Sequence, residues 1–359
     1  MTPGGQRSRG AEQGAAALER VGLVVVAAMI VAGVVAGISG AQLPTAVGNA
    51  VCRILDQGSC PPQDPTATPL EQATWGEYVA LGDSYASGEG AGDYDPDTDY
   101  DHGDEWDWDN WGDDERNRCH RSDNAYSELI QREGTGITFQ EGSTFSACSG
   151  ATQGDLTDDN DSNDDEGPQL DDLGDDVSLI TMSVGGNDLG FADVVKDCVM
   201  NGESGVPMLD SCQDTHADRI EGRLDTLHDE LVDTYDEMQE RAPDARVVIV
   251  GYPELFVQDP DDSVSNLLFA EDQAWMNEQA GALNDMLRSA AREAGVEFID
   301  PTEAFRGHGI GSGDPWINDL NWGGPGLSLV DPGSFHPNAQ GHDALADLVE
   351  EQIKEPEYP

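Results

Sequence analysis

The sequence predicts an α/β fold, a three-layer α/β/α sandwich with a central parallel sheet. Short apolar runs alternate along the chain with long segments of helical periodicity. That order builds parallel strands whose connecting helices cover both faces of the sheet. Two of the runs end in turns, Gly82-Asp83-Ser84 and Gly185-Gly186-Asn187-Asp188, at the strand ends where such sheets bind ligands.

The elements follow in order. Tyr78 to Leu81 is a short buried strand. Ser122 to Gln131 suits a helix with Ser or Asp at its cap, and Ile137 to Phe139 suits a strand. Val177 to Val184 is a strong strand. Ala217 to Arg241 is an amphipathic helix, with Ile220, Leu224, Leu227, Leu231, Tyr235 and Met238 at three- and four-residue steps. Arg246 to Val250 is the next strand. Glu271 to Ala294 is a helix with Trp275, Leu283 and Met286 as core candidates. Val296 to Ile299 is a strand, and Asn338 to Lys354 is the closing helix.

Ahead of this domain, expected over residues 75–356, lie three other segments. Residues 1–20 carry Arg7, Arg9 and Arg20 and are expected to stay in the cytoplasm. Residues 21–41 contain the uncharged apolar run Val21 to Ile38, long enough at helical rise to approach the bilayer thickness. A retained anchor, a signal peptide cut near Ala41, and pilin-like processing after Gly14, with Glu19 five residues on, are all open; the length of the run favours the anchor. Residues 42–74, with Pro61, Pro62, Pro65 and Pro69, suit a stiff spacer. Either route places the domain outside the cell, secreted or held at the outer face of the membrane. Six cysteines, Cys52, Cys60, Cys119, Cys148, Cys198 and Cys212, fit an oxidising compartment, and none has zinc-ligand spacing.

The formal net charge is −55, and the only lysines are Lys196 and Lys354. Such a body repels nucleic acid. The acid is concentrated in two loops, residues 92–115 with 12 acidic side chains and 155–176 with 11. The alternating aspartates from Asp93 to Asp101 lack the glycine and glutamate of an EF-hand loop, because Thr98 and Asp104 stand at those positions. No metal or cofactor is expected. An acid-rich, lysine-poor surface also resembles that of proteins from high-salt environments.

Four pieces carry chemistry together. Ser84 follows a buried strand, Gly150 lies in Cys148-Ser149-Gly150-Ala151, Asn187 stands behind Gly185-Gly186, and His336 lies in Ser334-Phe335-His336-Pro337. Each alone is an ordinary turn, cap or lone histidine. A serine hydroxyl needs a base to take its proton, and histidine has the right pKa for that task. Ester cleavage passes through an oxyanion that needs fixed donors. The Ser84 and Gly150 N–H groups and the Asn187 amide are candidates. No Gly-x-Ser-x-Gly elbow occurs, which argues against an α/β-hydrolase.

The conjunction Ser, Gly, Asn, His in this order resembles the SGNH (GDSL) hydrolase family. Cys119-His120-Arg121-Ser122, Gly251-Tyr252-Pro253 and Trp316-Ile317-Asn318 resemble its actinobacterial secreted esterase/lipase subgroup. The resemblance implies the SGNH fold, a monomeric domain and a carboxylic ester or lipid substrate cleaved through an acyl-serine. Ser84 would be nucleophile, His336 general base, and Gly150 and Asn187 would complete the oxyanion hole. It also implies the pairs Cys119–Cys148 and Cys198–Cys212, leaving Cys52 with Cys60. Relatives usually carry a further cysteine where Gly311 stands, and its partner after Pro253 is missing too. Most of the family has Asp three residues before the histidine, a position held here by Gly333. The expected orienter of His336 is the Ser334 backbone carbonyl, with Asp331 as the alternative. A carbohydrate deacetylase of the same fold, or a surface scaffold without activity, are the rival functions.

The charge generates one prediction. Self-repulsion among the excess carboxylates weakens as salt shortens the Debye length from about 30 Å at 0.01 M to about 3 Å at 1 M. The melting temperature is therefore expected to rise across that range in a thermal-melt series; a flat or falling trend contradicts it.

Overall fold

The computed structural model describes residues 66–99, 117–160, 163, 166–203, 212–257, 268–321 and 331–356. All belong to one compact unit, Thr66–Pro359. The apolar run Val21 to Ile38, Cys52, Cys60 and most of the first acidic loop lie outside the described residues. Among those described, no helix is long and apolar enough to cross a membrane.

Five strands form one parallel sheet: β1 (Glu77–Gly82), β2 (Ser143–Phe145), β3 (Val177–Ser183), β4 (Arg246–Val250) and β5 (Glu297–Ile299). Their spatial order is β2-β1-β3-β4-β5. β3 is buried along its whole length, as a central strand covered on both faces must be. The chain runs from β1 outward to β2 and then returns to the other side of β1 as β3. The order therefore reverses at β1, and a crevice opens at the C-terminal ends of β1 and β3. Ser84 and Asn187 follow those two ends.

The helices are α1 (Pro69–Ala73), α2 (Ser84–Ser87), α3 (Tyr126–Leu129), α4 (Phe191–Glu203), α5 (Cys212–Arg241), α6 (Ala270–Ala294), α7 (Thr302–Phe305) and α8 (Ala339–Lys354). The long pair α5 and α6 packs together, and α8 packs with α1 and α3. With the sheet between them these groups make the three-layer α/β/α sandwich. Ile220, Leu227, Leu231, Tyr235 and Met238 of α5 and Trp275, Leu283 and Met286 of α6 are buried in the core, and Leu224 is partly buried against it. Asn338 caps α8, its side chain accepting from the Gln340 and Gly341 N–H groups.

Four expectations change. The strand expected at Ile137 to Phe139 is absent; both residues are buried, and the Phe139 ring stacks on Tyr78 at 4.9 Å, but the edge strand is the more polar β2. The apolar spacing there records contact with the core rather than sheet pairing. The helix expected from Ser122 to Gln131 shrinks to α3, which starts after Ala125 with no side-chain cap. Ser122 is used in a turn instead: its Oγ accepts from Asn124 N–H at 3.0 Å and donates to the Gly92 carbonyl. α4 was not anticipated, and a Cys198–Cys212 disulfide ties it to the first residue of α5. The last part of the segment taken for a spacer belongs to the compact unit, because Thr68 and Glu71 close a capping box around Pro69 and start α1.

One cation knits the end of the sheet opposite the crevice. Arg246 of β4 forms a bidentate pair with Glu297 of β5, both contacts 2.8 Å, and donates to the carbonyls of Pro69, Gln352 and Ile353. Its fixed planar fork suits this multiple role.

Candidate active site

Ser84 opens α2 directly after β1. The turn that presents it depends on Gly82, whose φ is +122° and where a Cβ would stand 2.1 Å from the Ser183 carbonyl oxygen. Asp83 caps α2 through Tyr85 N–H at 3.0 Å. Ser84 is 7% exposed, at the floor of a cleft of about 470 Å³.

His336 meets it from the loop before α8. Its Nε2 lies 2.8 Å from Ser84 Oγ, and its Nδ1 lies 3.0 Å from the Ser334 carbonyl oxygen. A carbonyl oxygen only accepts, so Nδ1 carries the proton of the neutral ring and Nε2 is left to accept from the serine. The carbonyl reaches back because Phe335 adopts a left-handed conformation, φ 65°, between the two residues. A non-glycine residue there costs about 1–3 kcal/mol. The turn is held by Phe335 N–H on the Asn318 carbonyl at 3.0 Å, Asn318 N–H on the His336 carbonyl at 2.9 Å, and Tyr85 OH on the Phe335 carbonyl at 3.0 Å. Loss of hydration keeps the His336 pKa below the ordinary 6.5, against the opposing effects of Glu89's charge and the Ser334 and Pro332 carbonyls.

Asp331 also lines the cleft, but its carboxylate accepts from Gly333 N–H at 2.9 Å rather than from the His336 ring. The structure thus brings Ser334, not Asp331, to the histidine.

Gly150 and Asn187 face the same cleft. Gly150 follows the Cys119–Cys148 disulfide. Asn187 Nδ2 donates to the Ala151 carbonyl at 2.9 Å, which fixes the amide and leaves its second hydrogen for another acceptor. The next residue, Asp188, accepts from Gln153 N–H at 3.0 Å and pairs with Arg223 at 2.7 Å. Neighbouring side chains therefore clamp the turn that holds Gly150 to the loop that holds Asn187. Among the described residues, neither Ser84 N–H nor Gly150 N–H donates to a protein group.

Sequence reasoning missed two links. Tyr252 OH donates to Asp83 Oδ2 at 2.5 Å and accepts from Gly186 N–H at 3.2 Å, coupling the Ser84 turn to the Asn187 loop. Gly251-Tyr252-Pro253 stood out only as a family marker, with nothing to reveal its partners. Glu89, in the loop after α2, is buried beside His120, and nothing in the sequence marks it.

The GDSL-like lipase/acylhydrolase family model matches residues 80–344. The chain belongs to that family. It is 32% identical over 275 residues to a lipase of Streptomyces rimosus, covering 77% of this chain and 85% of the relative. Lipase 1 of Streptomyces coelicolor is 32% identical over 277 residues, covering 77% and 86%. Among solved structures, phospholipase A1 from Streptomyces albidoflavus aligns with a TM-score of 0.59 and 30% identity over 78% of this chain and 99% of that one. An extracellular lipase from Streptomyces rimosus aligns with a TM-score of 0.59 and 29% identity, covering 78% and 99%. This hydrolase of the GDSL-like family is accordingly a carboxylic ester hydrolase. Relatives named lipase and esterase favour neither the deacetylase nor the scaffold alternative.

Asp83 generates a prediction. Burial, opposed by its bonds from Tyr252 and Tyr85, pushes its carboxyl up to about 7. A folded pKa above the unfolded one, near 3.8, stabilises the fold fully below that lower value and loses the contribution as pH rises towards 7. Asp83→Asn keeps the acceptor oxygen but cannot ionise. Its melting temperature relative to wild type is expected to climb from pH 4 to pH 8, and a difference independent of pH contradicts this.

Proposed function

We propose that Ser84 attacks the ester carbonyl while His336 takes its proton at Nε2, giving a tetrahedral oxyanion and an imidazolium. The oxyanion is held by Ser84 N–H, Gly150 N–H and the Asn187 amide. His336 then returns the proton to the leaving alcohol as the C–O bond breaks and the acyl-serine forms. Water, deprotonated by the same Nε2, attacks the acyl group; the acid leaves and Ser84 regains its proton. One such oxyanion donor is worth about 10²–10³ in rate. The observation that carries this reading is the Ser334 carbonyl–His336–Ser84 relay, 3.0 Å and 2.8 Å long, which selects the one tautomer able to act as base.

The substrate is a lipid ester. The cleft beside Ser84 is lined by Phe191, Val195, Tyr252, Leu255, Leu283 and Phe335, an apolar wall suited to an acyl chain. The hydrolase works outside the cell as a monomeric domain, the unit Thr66–Pro359, with Val21 to Ile38 as a retained anchor. The Cys119–Cys148 and Cys198–Cys212 disulfides support export, because such bonds persist in oxidising compartments. Cys52 and Cys60, which lie ahead of the family domain and outside the described residues, are proposed to pair with each other. The acidic surface serves a salt-rich medium.

Turnover of one p-nitrophenyl ester by three variants tests the catalytic assignment. Ser84→Ala and His336→Ala are each expected to lose roughly 10⁴-fold or more. Asp331→Asn retains an acceptor for Gly333 N–H and is expected to lose about tenfold or less, against the roughly 10⁴ of an acid that orients the histidine. A loss in Asp331→Asn as deep as in His336→Ala, with the fold intact, overturns the Ser334 carbonyl as the orienter of His336.

A further inference from the structure

Among the described residues no carboxylate hydrogen-bonds to the His336 ring, yet the loop that carries a buried one packs against this histidine. Glu89 is 2% exposed, in the loop that leaves α2, and its N–H donates to the carbonyl of Ser84 itself at 3.0 Å. Oε2 makes a close contact with His120 Nδ1 and accepts from Ser149 Oγ at 3.0 Å, while Oε1 accepts from Tyr94 OH at 3.3 Å. The following residue, Gly90, packs against the histidine so tightly that a Cβ on it would lie 2.9 Å from His336 Cβ. A Cβ on residue 333 would lie 3.1 Å from Gly90 Cα, so the loop bearing Glu89 fills the space that a side chain there would enter.

We propose that Glu89 is a positioning residue whose buried negative charge supports the His336 imidazolium through space, without a hydrogen bond to its ring. The inference rests on the catalytic roles proposed above. His336 becomes cationic when it takes the Ser84 proton, and the Ser334 carbonyl offers it only a dipole. A full charge in a poorly hydrated site acts over longer range than a dipole. The carboxylate survives burial because its partners hold it. Burial raises its pKa, but the hydrogen bond and charge of His120, with His336 and Ser149, outweigh that and keep it below the ordinary range. His120 responds in the opposite sense: burial lowers its pKa, and Glu89 and Asp99 raise it above the ordinary value. Through Ser149, the same carboxylate braces the residue before Gly150.

Other titratable groups also surround His336. His342 of α8 sits behind it, neutral at working pH because burial lowers its pKa to about 3. Tyr85 lies against its ring with centroids 5.3 Å apart, and Asp331 stands in its own loop. His120 opposes the effect of Glu89 but ranks below it.

The pH profile of kcat/KM on one ester tests the proposal. Glu89→Gln keeps the shape and removes the charge. It is expected to fold, to lose about tenfold in kcat, a fraction of the usual general-base contribution, and to move the acid limb to lower pH. Glu89→Asp keeps the charge and is expected to retain the wild-type limb even where its kcat falls. A buried hydrogen-bonding role alone would lower kcat or melting temperature and leave the limb in place. An unmoved limb in Glu89→Gln, or an equal downward move in Glu89→Asp, overturns the inference. Should Glu89→Gln not fold, the neutral Glu89→Met takes its place: a limb moved to lower pH supports the charge role, and an unmoved limb overturns it. Retained activity in His336→Ala would instead mark failure of the catalytic reading on which the inference rests.

Discussion

The bond from His336 Nδ1 to the Ser334 carbonyl constrains the rest of the site. An acceptor that can never donate fixes where the ring proton sits, and with it which nitrogen faces Ser84. Much of the surrounding structure keeps that bond in place. Phe335 holds an unfavourable backbone angle, Asn318 and Tyr85 tie down the turn around it, and Gly90 lets the neighbouring loop close against the histidine. The strain is local and the support comes from residues far from the turn in sequence, as expected where a fold over-determines a functional geometry.

The fold contributes the meeting point. Reversal of strand order at β1 opens the crevice between the ends of β1 and β3, which deliver Ser84 and the Asn187 loop. Asp83, Tyr252 and Gly186 then form a bridge across that crevice, and Asp188 clamps the Gly150 turn from the far side. In a chain of net charge −55, scarce cations are placed where a carboxylate would otherwise be buried alone: Arg246 on Glu297, Arg223 on Asp188 and Arg121 on Glu166. Removing one partner from such a pair strands the other, at a cost of about 3–5 kcal/mol when fully buried.

What the sequence revealed was local or periodic. The central strands and the long helices α5, α6 and α8 follow from runs of apolar residues whose spacing reports burial directly. Ser84, Gly150, Asn187 and His336 are legible only together, as the ordered set that resembles the family, and Ser334 comes with that resemblance. Contacts between distant segments were illegible. Glu89 is separated by 31 residues from His120 and by 60 from Ser149, and nothing in its glycine-rich surroundings marks it as buried. Ser122 could equally cap a helix or close a turn, and only its neighbours decide. Ile137 and Phe139 have strand spacing but spend it on core contact, while β2 owes its place to pairing with β1 rather than to its own composition.

In the proposed mechanism Ser84 alone is the activated nucleophile. A fluorophosphonate probe followed by peptide mass spectrometry tests it most directly, because phosphonylation needs a serine whose proton a neighbouring base removes. The predicted result is a single covalent adduct on the peptide that contains Ser84, with no adduct on the buried Ser87 or on Ser149. Labelling at another serine, or an unlabelled Ser84 in folded and active protein, would contradict it.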